Sequence, residues 1–201
     1  MKGLVMKQMS IAVIIGSVRE GNNSLKIGKA VLRYLKEYGV NGFIINPVNF
    51  MLPFPGEKVQ GSDTTYLQEL VKNADGAIFV TPEYNGSISS IMKLIIENLG
   101  YPSTLKGKPS AIVGVTAGKF GAVKPMEHLR GILTHTGSYV LPLQVSVSNV
   151  YEMIDVQGFL KDDETRERLK TLTNAFIDFS QKFADEKSGL RNFNLGNSVM
   201  N

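Results

Sequence analysis

Three short segments concentrate the residues of this chain that could hold a ligand. The first is Gly16-Ser17-Val18-Arg19-Glu20-Gly21-Asn22-Asn23-Ser24, small, polar and glycine-containing, and it runs straight into a helical pattern. Such a turn offers backbone N–H groups and the positive end of a helix dipole to an anion. Ser17, Asn23 and Ser24 add side-chain donors, and Arg19 adds a fixed cation. A helix cap needs only one such residue. The cluster with its arginine points instead to a phosphate or another anion. The dinucleotide fingerprint G-x-G-x-x-G fails at Val18, and Asn22 and Asn23 stand where a P-loop needs Lys and Ser/Thr. What is left is a loop suited to a terminal phosphate monoester.

The second segment is Thr81-Pro82-Glu83-Tyr84-Asn85-Gly86-Ser87. Pro82 stiffens it, Gly86 admits an unusual backbone angle, and Tyr84 offers a flat face. That combination suits a planar heteroaromatic ligand. The plainer reading is a turn with Ser87 or Ser89 capping the next helix. Glu83 resembles a general base, but a lone carboxylate beside proline more often accepts a backbone hydrogen bond. The third segment is Thr116-Ala117-Gly118-Lys119-Phe120-Gly121. Its glycines permit close approach of backbone to a ligand, or simply turn a strand into a helix.

Other chemistries are excluded by composition. The 201 residues include no Cys, so disulfides, thiolate metal sites, iron–sulfur clusters and cysteine nucleophiles are absent. The composition fits a reducing compartment and a cytoplasmic protein. His128 and His135 are the only histidines and lie seven apart, whereas helical metal pairs favour a spacing of four. They read as core or surface residues, and no metal site is expected. Lys and Arg total 22 against 18 Asp and Glu, a net charge of +4 without blocks of one sign. Neither a nucleic-acid stripe nor a membrane span is visible, and the mild positive field suits an anionic small molecule. Lys106, Lys108 and Lys119 are candidates for a further phosphate of a ligand, or plain surface lysines.

The elements that must position the three segments alternate. Strands are expected at Ile11–Ile15, Gly42–Ile45, Ala77–Val80, Ala111–Val115 and Tyr139–Leu141, the last stopped by Pro142. Helices are expected at Ser24–Tyr38, Thr64–Asn73, Ser89–Leu99, Val123–Thr136 and Asp163–Phe183. Continuous apolar strands between amphipathic helices mean an α/β fold, a doubly wound five-stranded parallel sheet with helices on both faces. One domain should cover 1–185, and 186–201 should form a tail, loose from about Gly189. Ligands of such sheets bind beyond the carboxyl ends of the strands, where strand order reverses. All three segments follow strands. Ile88, Ile91, Met92, Ile95 and Leu99, broadened by Leu94 and Ile96, make a helix more apolar than one sheet contact needs.

These segments together resemble the NADPH-dependent FMN reductases, the flavodoxin-like group that includes quinone reductases, azoreductases and chromate reductases. The first is similar to that family's G-S-x-R-x-G-x-N-S through Gly16, Ser17, Arg19, Gly21, Asn23 and Ser24. The second carries P-E-Y-N-G-S intact from Pro82 to Ser87, and Lys93, Gly118, Gly121, Leu129 and Arg130 match further positions. The similarity covers roughly Ser10 to Asp178.

The resemblance implies FMN as cofactor and NADPH or NADH as donor. It assigns the FMN phosphate to Ser17, Arg19, Asn23 and Ser24. Pro82, Glu83, Tyr84, Asn85 and Gly86 would line the isoalloxazine, and Thr116, Ala117, Gly118 and Lys119 would close its other side. A hydride would pass from NAD(P)H to flavin N5. A quinone, azo compound, free flavin or metal oxyanion would then take the donor's place, a ping-pong scheme needing no catalytic protein residue. A homodimer or homotetramer is implied. The alternatives are a flavodoxin-like electron carrier and a flavin-binding redox-sensing regulator. Asn22, Ser89, Leu94, Glu97 and Ala117 depart from residues common in the family. A weaker phosphate contact and altered packing of the 89–99 helix are the expected consequences.

Overall fold

The β-branched run at the N-terminus becomes the inner strand of a sheet. In the computed structural model, which describes residues 8–155 and 157–196, β1 (Ser10–Ile15) pairs in parallel with β2 (Asn41–Ile45) on one side and β3 (Gly76–Pro82) on the other. Then β4 (Pro109–Val115) adds to β3 and β5 (Tyr139–Val147) to β4, again in parallel. The order β2-β1-β3-β4-β5 is that of the flavodoxin-like doubly wound sheet.

Period-two alternation divides the core into two layers. Ile11, Val13 and Ile15 face one side, where they cluster with Val31 and Leu35 of α1 (Asn23–Glu37) and Leu169 and Phe176 of α6 (Asp163–Gly196). Ala12 and Ile14 face the other side. There they meet Leu67 and Val71 of α2 (Thr64–Asn73), Met92 and Ile95 of α3 (Ser90–Glu97), and Met126 and Leu129 of α4 (Val123–His135). Both faces of the sheet are therefore covered, as the apolar strands require.

Several boundaries differ from the sequence reading. Strand β5 does not stop at Leu141 but passes Pro142 and runs to Val147. It lies at the sheet edge, where a missing N–H is tolerated, and its register with β4 shifts between Ser110 and Ile112. Arg130 secures the irregularity, donating from Nη2 to the carbonyls of Leu141 and Pro142 and to Gln144 Oε1, each at 3.1 Å. A further short helix, α5 (Val150–Met153), follows directly. Helix α6 is capped by Asp162, which accepts from the Thr165 amide at 2.7 Å. It runs past Phe183 to Gly196, so residue 185 falls inside it, and 197–201 of the expected tail lie outside the described residues. Among the described residues no helix is long and apolar enough to cross a membrane.

Candidate functional site

The loop after β1 is tied down before it reaches α1. Asn22 is the N-cap of α1, its Oδ1 accepting from the Leu25 amide at 2.7 Å while its Nδ2 donates to the Arg19 carbonyl at 2.7 Å. Capping thus falls to Asn22, not to Asn23 or Ser24. Ser24 is buried, and neither its hydroxyl nor the Asn23 side chain has a hydrogen bond among the described residues. Both line the cavity described below, at the helix end whose first amides suit an anion.

Loop two closes over loop one. Tyr84 Oη and the buried Ser17 Oγ share a hydrogen bond of 3.0 Å, and the Arg19 guanidinium lies 4.8 Å from the centre of the Tyr84 ring. One face of Tyr84 is therefore covered by Arg19, which the flat-face reading did not anticipate. The Glu83 amide donates to the Val115 carbonyl at 3.1 Å, so its backbone continues the β3–β4 pairing. The parallel ladder explains a further contact. The Gly16 amide donates to the Val80 carbonyl, so the next donor, to the Gly16 carbonyl, should come from residue 82. Proline has no N–H. Ser89 Oγ fills the gap at 2.6 Å, and the same oxygen caps α3 by accepting from the Met92 amide at 3.1 Å.

Loop three is braced by the part of β5 that the sequence reading cut short. The Ala122 amide donates to Ser146 Oγ at 2.8 Å, Val150 N to the Thr116 carbonyl at 3.1 Å, and Asn149 N to the Gly118 carbonyl at 3.2 Å. Gly121 sits at φ 82°, and a Cβ there would lie 2.9 Å from Ser146 Oγ.

These loops enclose a cavity of about 300 Å³. Nine of the thirteen residues singled out above line it: Ser17, Arg19, Asn23 and Ser24 from loop one, Pro82, Glu83 and Tyr84 from loop two, Thr116 and Ala117 from loop three. Asn85, Gly86, Gly118 and Lys119 do not line it. Val150 and Tyr151 of α5 do, and sequence reasoning missed them. Their signal was the small polar stretch Ser146-Val147-Ser148-Asn149, another strand-end loop entering a helix.

A family model for NADPH-dependent FMN reductases matches residues 9–152. The chain belongs to that family. Among relatives, an NAD(P)H-dependent FMN reductase of Pseudomonas aeruginosa is 36% identical over 106 residues, spanning 51% of this chain and 57% of that protein. A 2-hydroxy-1,4-benzoquinone reductase of Burkholderia sp is 24% identical over 178 residues, spanning 84% of this chain and 94% of that one. Among solved structures, FerB, a flavoenzyme NAD(P)H:(acceptor) oxidoreductase of Paracoccus denitrificans, superposes with TM-score 0.74 at 23% identity, covering 87% of this chain and 98% of its own. The protein is thus an oxidoreductase of a family that works with FMN and NAD(P)H.

The donor set fits such a cofactor. A fork-shaped cation, two buried serines and the start of α1 contribute to one cavity, together with residues of the turns after β3 and β4. The lysine candidates divide. Lys108 is only 9% exposed and donates to the Lys72 and Ala74 carbonyls at 2.9 and 2.5 Å. It therefore closes the end of α2 and is unavailable to a nucleotide phosphate. Lys106 lines a groove with His135 and Gly137 at the far end of α4. Lys119 alone stays with the site loops, its Nζ 5.3 Å from the centre of the Phe120 ring. Among the described residues no group of three potential metal ligands occurs.

Proposed function

We propose that this chain is an FMN-dependent NAD(P)H oxidoreductase acting on quinones, azo compounds, free flavins or metal oxyanions, carried on one domain over residues 1–185. The observation that carries the reading is the convergence of three strand-end loops on one cavity. The turn into α1 and the Pro82–Tyr84 turn both line it. Bound FMN supplies the two-electron relay between a nicotinamide and an acceptor.

The residues around it bind, orient and screen. Arg19, with Ser17, Asn23 and Ser24, holds the phosphate by charge-assisted and neutral hydrogen bonds. Pro82, Glu83 and Tyr84 would line one side of the isoalloxazine, with Asn85 and Gly86 continuing that turn beyond the cavity, and Thr116 and Ala117, followed by Gly118 and Lys119, would close the other. Fixed N–H dipoles on these turns favour negative charge on the ring edge without reorganising during turnover. If donor and acceptor share this one cavity in turn, initial-rate plots should show the parallel lines of a ping-pong scheme.

A second copy of the chain suits the surface of α3. Ile88, Ile91 and Leu94 remain partly exposed there, beside a groove of about 870 Å³ lined by Ile96, Tyr101, Pro102 and Ile132. A homodimer or homotetramer is the proposed assembly, and a purely monomeric species at micromolar concentration in light scattering would overturn it. The catalytic reading is tested by a visible spectrum after FMN loading and desalting, followed by anaerobic NADPH. A retained flavin band that bleaches supports it. A retained band that NADPH and NADH leave unchanged would reassign the chain as an electron carrier or redox-sensing regulator.

A further inference from the structure

The turn after β3 has little of its own to hold it. Asn85 and Gly86 both lie in the left-handed region, at φ 51° and 72°. The Tyr84 and Ser87 amides each donate to the other residue's carbonyl at 3.0 Å. This is a two-residue hairpin turn with no ladder beyond its single closing pair. Its conformation therefore depends on tethers from neighbouring elements. One tether, already described, runs from Tyr84 to Ser17 in the loop after β1.

The other flank is gripped by α4. His128 Nδ1 and Ser87 Oγ share a hydrogen bond of 2.9 Å. Lys124 lies across the turn itself, for a Cβ on Gly86 would sit 3.7 Å from Lys124 Cδ and 3.9 Å from its Nζ. Positions 124 and 128 are one helical turn apart and share a face. Neither residue lines the cavity, and the sequence reading left His128 as an ordinary core or surface residue.

We propose that His128 and Lys124 are positioning residues of the reductase site, fixing the Tyr84–Ser87 turn in the geometry that receives the isoalloxazine. The proposal rests on the FMN reading above. The His128–Ser87 bond is reached by solvent, so water competes for it and global stability depends on it little. The turn has its own local opening equilibrium, and that equilibrium is where a tether acts. Losing it should loosen the turn while the sheet stays folded. Lys124 adds a positive charge beside the turn and packs its methylenes over Gly86.

The test uses the full chain and the variants His128→Leu, Ser87→Ala, their double, and His128→Asn, which keeps a hydrogen-bonding atom at the δ position. FMN affinity is read by flavin fluorescence titration, and amide exchange of residues 84–87 by hydrogen–deuterium exchange without FMN. Each single variant should weaken FMN binding by about threefold to tenfold and speed exchange at the turn. The double variant should be no worse than either single, because both remove one bond. His128→Asn should return to within about twofold of the parent. Parent-like affinity and exchange in His128→Leu, multiplying losses in the double, or no rescue by asparagine would each overturn the proposal. If the parent chain itself takes up no FMN, the function reading falls, and the exchange arm still decides whether α4 holds the turn.

Discussion

Ser89 is the perturbation whose cost the structure lets one work out most fully. Its one hydroxyl does two jobs. It accepts from the Met92 amide at 3.1 Å, capping α3, and donates to the Gly16 carbonyl at 2.6 Å, replacing the ladder donor that Pro82 lacks. The residue is 1% exposed, so water does not easily substitute. Ser89→Ala removes the cap, about 1 kcal/mol, and leaves a buried carbonyl without a donor, about 1–3 kcal/mol. The expected loss is about 2–4 kcal/mol, which should lower the urea midpoint by roughly 1 M with the slope unchanged. Ser89→Thr, which keeps the hydroxyl, should recover most of it. Ser89→Pro is informative because φ is −70° at this position, which proline adopts without strain. It loses both bonds but restricts the unfolded chain, an offset of about 0.4–1 kcal/mol, so it should fall between alanine and the parent. A loss below about 0.5 kcal/mol for Ser89→Ala would show that the Gly16 carbonyl finds another donor, and the ladder argument would fail.

Three further outcomes are expected. Arg19→Ala should weaken FMN binding by about tenfold to a hundredfold in a direct titration, the range for a hydrogen bond to a charged group, and should flatten its salt dependence. Gly121→Ala places a Cβ at φ 82° and 2.9 Å from Ser146 Oγ, the oxygen that accepts from the Ala122 amide. It should cost about 1–3 kcal/mol in denaturant unfolding and weaken FMN binding with it. Hydrogen bonds from Thr165 hold the Asp162 carboxyl below its ordinary value of 3.8. Its folded value is depressed, so its stabilisation is present above that value and lost as pH falls through the folded one. Asp162→Asn should therefore flatten the acid side of the melting-temperature profile below about pH 5.

Much of the fold was legible because its inner strands β1, β3 and β4 are buried on both faces. Runs such as Ile11–Ile15 admit no other placement, and α2 was read to the residue at Thr64–Asn73. The failures share a physical cause. Pro142 ends a central strand but not an edge strand, and edge status follows from strand order, which no local pattern contains. Reading the stop at Leu141 also removed Ser146 and Asn149 from consideration, and with them the brace of loop three and the whole of α5. The helix ends were blurred for a simpler reason. Caps at Asn22 and Ser89 were chosen among several adjacent Ser and Asn residues of nearly equal propensity.

The site shows the same division between what touches and what holds. Residues proposed to face a ligand stood out through type: Arg19 and Tyr84 cluster with the donors Ser17 and Asn23 in loops that follow strands, and all four line the cavity. Residues that hold those loops did not. Ser89 and Asn22 looked like departures from a family pattern, yet each satisfies a backbone group that the loop geometry leaves exposed. Asn22 spans the Arg19 carbonyl and the Leu25 amide. A basic side chain at 22 could not accept from that amide, so an added cation here would come at the expense of the cap. The expected weakening of the phosphate contact therefore does not follow from position 22 alone. What a cation at 22 would add is weighed against a loop fixed before binding, and fixing donors in advance would reduce the ordering cost of holding an anion. Asn22→Lys separates the two effects. If charge dominates, FMN binding tightens and its salt dependence steepens. If preorganisation dominates, binding weakens and α1 frays at its first turn, visible as faster amide exchange at Leu25. Tighter binding with Leu25 exchange unchanged would refute the role given to the cap.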